Sequence, residues 1–183
     1  MSESKIWTTL AVVGVVLAAS VLVIGCPPSE PKGTKRPAAA SDLAVAAEKT
    51  YVAPGDLDEY YMFSSGGHSG QVYVYGIPSM RHLATIPVFA PDSATGYGFD
   101  DDTKKMLGSL TWGDVHHPAL SETNGDYDGR WLFVNEMNGR VARIDLRDFK
   151  TKQIFGPMPN VSGNHGSSFV TPNSEYAMLA SRF

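Results

Sequence analysis

Between Tyr60 and Leu146 the chain repeats one arrangement: a short run of aromatic and β-branched residues, a glycine-bearing turn, and a second such run. Tyr60-Tyr61-Met62-Phe63, then Gly66-Gly67, then Gln71-Val72-Tyr73-Val74-Tyr75-Gly76 read as strand, turn and strand. Branched and aromatic side chains fit a pleated surface, and glycine supplies the positive φ of a tight turn. Arg130 to Asn135 and Arg140 to Leu146 flank Asn138-Gly139 in the same manner, a turn pair in which both residues tolerate positive φ. In the later strand Val141, Arg143 and Asp145 alternate with Ala142, Ile144 and Leu146, as on a sheet with one wetter face. The earlier one is apolar nearly throughout, as a strand covered on both faces is. No long amphipathic helix competes with this pattern, so an all-β domain is expected from about Thr50 onward.

A second regularity suggests how the hairpins are arranged. Asp128-Gly129-Arg130-Trp131-Leu132-Phe133 aligns with Asn173-Ser174-Glu175-Tyr176-Ala177-Met178, a turn and then a strand opening on an aromatic, 45 residues later. Repeats of roughly 40 to 50 residues are those of propeller blades, and an ordinary meander of hairpins gives similar matches. On the propeller reading, residues 50–183 hold about three blades, fewer than the roughly four to eight that close a ring. The last residues, Ser181-Arg182-Phe183, fall inside an apolar strand-like run, so a fragment of a larger protein is expected.

The N-terminus departs from this composition. After Lys5, Ile6 to Gly25 is an almost uncharged stretch of Val, Leu, Ala and Ile. About 20 apolar residues can span a bilayer as a helix, whereas the core of a cleaved signal is usually roughly 7 to 15, so length leaves both a signal and an uncleaved anchor open. The only cysteine, Cys26, follows Val23-Ile24-Gly25, an order similar to a relaxed lipoprotein box in which the cysteine is lipidated; an idle thiol is the other reading. A single cysteine forms no intramolecular disulfide. No Arg-Arg pair precedes the apolar run, which favours the general secretory route over twin-arginine export. We read residues 1–26 as a signal, lipoprotein or anchor segment and residues 27–49, rich in Pro, Ala, Ser and Lys, as a linker. A net charge of −4 and no basic cluster denser than Lys32 to Arg36 argue against nucleic acid as a partner.

Five histidines are present: His68, His82, His116, His117 and His165. Adjacent side chains on an extended strand point to opposite faces, so His116 and His117 reach one site only at a turn or strand end. Pro118 restricts His117 to extended geometry, and Gly113 loosens the approach. His165 lies between glycines in Ser162-Gly163-Asn164-His165-Gly166-Ser167. Both histidine sites precede a strand of the 45-residue repeat, and equivalent points of successive propeller blades surround one axis. A nitrogen donor set without thiolates suits copper or zinc; hydrogen-bonded loop histidines are the alternative. Asp100-Asp101-Asp102 lacks the alternating spacing of a calcium loop and reads as a solvated turn.

Several blocks carry a resemblance. Pro91-Asp92-Ser93-Ala94-Thr95-Gly96-Tyr97-Gly98, Gly113-Asp114-Val115-His116-His117-Pro118, Asp126-Tyr127-Asp128-Gly129-Arg130 and Arg140-Val141-Ala142-Arg143-Ile144 are similar to the N-terminal domain of nitrous oxide reductases. Gly66-Gly67-His68 and Ile77-Pro78-Ser79-Met80-Arg81 resemble it too, and the likeness runs from about Gly55 to Phe183. It implies a seven-bladed propeller followed by a cupredoxin domain, acting as a head-to-tail homodimer in the periplasm. A four-copper sulfide cluster held by seven histidines reduces nitrous oxide to dinitrogen and water. Electrons arrive from a donor such as a c-type cytochrome or a cupredoxin, through a dinuclear copper site in the partner's second domain. Calcium is a further ion the resemblance allows in the full-length protein.

Motif by motif, the resemblance makes His116, His117 and His165 three of the seven ligands. His68, in the Gly66-Gly67-His68 block, is not one of those ligands, which leaves it a structural role or a hydrogen-bonding or cavity role, and His82 sits where nothing in the pattern calls for it, as a surface side chain. Asp114 is the candidate acceptor for a ligand imidazole N–H, an interaction that fixes tautomer and raises basicity, with a plain turn residue as the competing reading. The missing twin-arginine pair resembles the branch of the family exported unfolded, with copper loaded outside. Four ligands and the electron-entry domain are not in this sequence, so this stretch alone is expected to be inactive. The competing function is a membrane-tethered propeller that binds a partner without copper.

Overall fold

The computed structural model describes residues 40–164 and 168–182. Contacts divide the chain into two units, Met1–Ala44 and Val45–Phe183. The segment 1–26 and Cys26 lie outside the described residues. Within the stretch read as a linker, helix α1 covers Ala40–Thr50. Alanine-rich sequence favours a helix, and Asp42 in the first turn and Lys49 in the last complement its dipole. Its residues from 42 on are exposed. Among the described residues no helix is long and apolar enough to cross a membrane.

The second unit is mostly antiparallel sheet. Strands β1 (Tyr60–Ser65), β2 (Gln71–Ile77) and β3 (His82–Pro87) form one sheet in that order. Strands β4 (His116–Thr123), β5 (Asp126–Asn135), β6 (Val141–Asp145) and β7 (Lys150–Phe155) form a second, and β8 (Phe169–Val170) pairs with β9 (Ala177–Met178). Both expected hairpins are present, with Val74 of β2 opposite Phe63 and Ala142 of β6 opposite Val134. Gly139 takes φ 78° in the Asn138-Gly139 turn, and a Cβ there would lie 2.8 Å from the Val161 carbonyl.

Alternation buries one face of each sheet against the other. Val72 and Val74 of β2, Ile86 of β3, Leu132 and Val134 of β5, and Ala142 and Ile144 of β6 form one core with Val88, Phe89 and Val115. Full burial of each Val, Ile or Leu side chain contributes about 1.5–3 kcal/mol. Thr151 Oγ1 of β7 ties the sheets by donating to the Pro87 carbonyl of β3 at 2.8 Å, and the Tyr97 hydroxyl donates to the Val88 carbonyl just beyond β3 at 2.6 Å. At the neighbouring end β1 lies beside β4 and β4 beside β8, while β3 meets β7.

A longer repeat than the one read from the sequence relates the two sheets. Gly70 and Gly139 open β2 and β6 with φ of 69° and 78°, and Met80 and Phe149 close the next turns with φ of 58° and 53°. Thus β1-β2-β3 matches β5-β6-β7, and β4 has no counterpart in the first sheet.

The aspartate run differs from expectation. Asp100 caps a short helix, α2 (Asp101–Leu107), its Oδ1 accepting from the Thr103 amide at 2.8 Å. Asp101 and Asp102 then sit at the positive end of the helix dipole.

Candidate metal-ligand site

Strand β4 begins at His116, and its pairing decides where both histidines point. His116 lies opposite Asn135, and the next partners are Ala119 and Phe133. Three steps along β4 match two along β5, so His117 and Pro118 form a bulge. His117 takes φ 37°. The expectation that Pro118 would hold it extended is therefore corrected. Pre-proline sterics favour extended backbone, but the pairs on either side of the bulge override that local preference. The turn cancels the strand alternation and brings the two imidazoles together, ring centres 5.7 Å apart and planes 29° from parallel. His116 is half-buried and His117 exposed.

A residue other than glycine at positive φ costs about 1–3 kcal/mol, so the surroundings must hold it. Asp114, 1% exposed, bonds His116 Nε2 through Oδ2, and its Oδ1 accepts from the Met137 amide at 3.0 Å. One carboxylate therefore joins the first histidine to the β5–β6 turn. Val115 bridges to Gly67 after β1, its amide donating to the Gly67 carbonyl at 2.9 Å, and Ser65 Oγ donates to the Val115 carbonyl.

Behind this lies a buried ion pair that the sequence did not suggest. Arg140 Nε donates to Glu136 Oε1 at 2.9 Å, with Arg140 1% and Glu136 0% exposed. The remaining guanidinium donors reach the carbonyls of Leu107 (3.3 Å), Leu110 (2.8 Å) and Trp112 (3.1 Å). They strap down the segment that leads into Asp114. Gly113 is pressed against this pair: a Cβ there would lie 2.5 Å from Arg140 Nη2 and 2.7 Å from Glu136 Oε2. Its part is close approach rather than looseness.

His68 and His82 make contacts of their own. His68 is exposed, stacks on Trp112 at 6.2 Å, and its carbonyl accepts from the indole N–H at 2.8 Å. His82 is exposed at the start of β3, against Tyr73 and Tyr75, with Nε2 3.0 Å from Thr85 Oγ1. His165 lies outside the described residues, but its flanks do not. Asn164 is 1% exposed, and its Nδ2 has no hydrogen-bond partner among the described residues. Among the described residues no group of three or more His, Cys, Asp or Glu side chains could hold a metal ion.

The fold and this geometry define an antiparallel β-sheet protein that turns paired imidazoles to one side at a strand start, over a buried carboxylate. Comparison with known proteins goes further. The chain is 47% identical over 145 residues to a nitrous-oxide reductase of Pseudomonas fluorescens, covering 73% of this chain and 22% of that protein. Nitrous-oxide reductases of Stutzerimonas stutzeri and of Ralstonia nicotianae match at 45% over 141 residues and 39% over 164 residues. They cover 74% and 82% of this chain and 22% and 25% of those proteins. No family model matches the chain. Over the matched stretch this chain belongs with the nitrous-oxide reductases, as a homologue of a fragment of them. It spans about a quarter or less of the length of the curated relatives named here.

Proposed function

We propose that this chain is part of a copper-dependent nitrous oxide reductase and that His116, His117 and His165 are metal ligands in it. The observation that carries the reading is the His117 bulge, which turns two adjacent imidazoles to one side, in a chain whose relatives bear that enzyme's name. Imidazole nitrogen suits copper. Two imidazoles held with ring centres 5.7 Å apart on one side of the strand start would offer neighbouring nitrogen donors. The pair thus fits as part of the ligand set of a four-copper sulfide cluster. Asp114 orients the His116 ring. When bound, such a cluster would supply the two electrons that, together with two protons, convert nitrous oxide to dinitrogen and water. The residues of this chain hold and aim it.

The contacts of β1 with β4, β4 with β8 and β3 with β7 support a propeller in which the three sheets are blades and the histidines sit near the axis. Residues 1–26 act as an export, lipid or anchor segment and 27–49 as a linker to the domain at 50–183. Secretory export would place the protein in the periplasm, where copper is loaded. The full-length enzyme works as a homodimer supplied by a cytochrome or cupredoxin, and this stretch by itself is inactive.

The test is His117→Ala in the full-length protein. Copper content and reduction of nitrous oxide by reduced viologen should both collapse. Retention of both at the unsubstituted level contradicts the ligand assignment.

A further inference from the structure

Asn135 closes β5 opposite His116 and is fully buried. Its side chain makes two ties outside its own sheet. Nδ2 donates to the Asn164 carbonyl, and Oδ1 accepts from Ser168 Oγ at 3.1 Å. One amide thus binds the chain at positions 164 and 168, on both flanks of His165, from the strand position that faces His116. The Gly163 amide adds a third tie to the same end of the sheet, donating to the Met137 carbonyl at 2.7 Å.

An amide is suited to this in a way its neighbours in size are not. It offers a donor on one arm and an acceptor on the other. Aspartate offers acceptors alone and would face the Asn164 carbonyl with like charge, leucine offers neither, and glutamine stands one methylene further out. We propose that Asn135 is a positioning residue for the metal set: its amide fixes Asn164 and Ser168 at a set distance from the His116–His117 bulge. This rests on the ligand reading above. The buried Asn164 Nδ2, which has no acceptor among the described residues, accords with it, because a bound group could supply one to a donor that costs about 1–3 kcal/mol to leave unpaired.

The test compares Asn135→Asp with His117→Ala and the unsubstituted full-length protein, by titrating copper-free protein with Cu(I) against a chromophoric chelator. Circular dichroism reports folding, and the visible absorption of the copper-loaded protein reports geometry. Groups that orient metal ligands from behind typically contribute 10–100-fold in affinity. Asn135→Asp should fold, lose copper affinity by about 10–100-fold, and shift the absorption. A lowered stability with affinity and absorption unchanged makes Asn135 merely structural and overturns the inference. Should Asn135→Asp not fold, Ser168→Ala removes one tie and decides: a loss of about tenfold supports the inference, and none overturns it. Retained copper in His117→Ala instead sinks the ligand reading itself, so the two failures are distinguishable.

Discussion

Removing Arg140 tests whether the strap behind the histidines is held as the structure describes. Arg140→Met keeps most of the side-chain volume but deletes the ion pair with Glu136, three bonds to main-chain carbonyls and the contact of the guanidinium with the Phe89 ring at 5.0 Å. Glu136 is left fully buried with only the amides of Asn138 and Arg140 and the Asn138 side chain as donors. Breaking one side of a buried pair costs about 3–5 kcal/mol, whereas replacing both partners by apolar groups is often near neutral. The single change should therefore consume a large share of a stability of about 5–15 kcal/mol. Arg140→Met combined with Glu136→Met should recover at least about 2 kcal/mol of it. The assay is urea unfolding of the chain followed by the fluorescence of its three tryptophans, of which Trp112 belongs to the strapped segment. A loss below about 1 kcal/mol from Arg140→Met, or a double variant whose loss is the sum of the single ones, refutes the reasoning.

His117→Gly should remove copper binding and at the same time raise the stability of the copper-free protein by about 1 kcal/mol, because glycine takes φ 37° without strain; a drop in the urea midpoint would show that the bulge is not strained. Stability should fall in acid. Hydrogen bonds from Arg147 to Asp145, from Ser121 to Asp128 and from the Thr103 amide to Asp100 hold these carboxyls below the usual carboxylate range. Their contribution is complete above the unfolded value near about 4 and is lost as pH falls below it toward the folded values. Urea midpoints at pH 7 and pH 3 check this, with Asp145→Asn flattening the difference, and equal midpoints in the unsubstituted protein contradict it.

Much of the sheet structure was legible because alternation and turn residues are local signals. Val72 and Val74, or Ala142 and Ile144, announce a buried face without knowledge of what covers it. Helix α2 was missed because seven residues show no period, and Asp100 serves as readily in a turn as at a helix cap. The geometry of His117 was hidden for a different reason. Its nearest neighbour in sequence, Pro118, argues for extended backbone, and the opposing influence comes from pairing with Asn135 and Phe133, which no local rule contains. In the sequence Asn135 and Arg140 stand only as the ends of two strands, and Glu136 carries no signal of its own. Their importance lies in Asn164, Ser168 and the carbonyls before Asp114, all distant along the chain. Asp114 could be singled out because its partner, His116, is two residues away. The family was legible from the His116-His117-Pro118 block and the motifs around it, and relatives at 39–47% identity bear it out.

We propose that His116 and His117 bind copper side by side. Crystals of the full-length, copper-loaded protein, measured at the copper absorption edge, test it directly. Separate anomalous peaks are expected within bonding distance of a ring nitrogen of each histidine, with Asp114 still bonded to the first. Copper peaks located only elsewhere in the protein, with both rings bonded solely to protein and water, would contradict it.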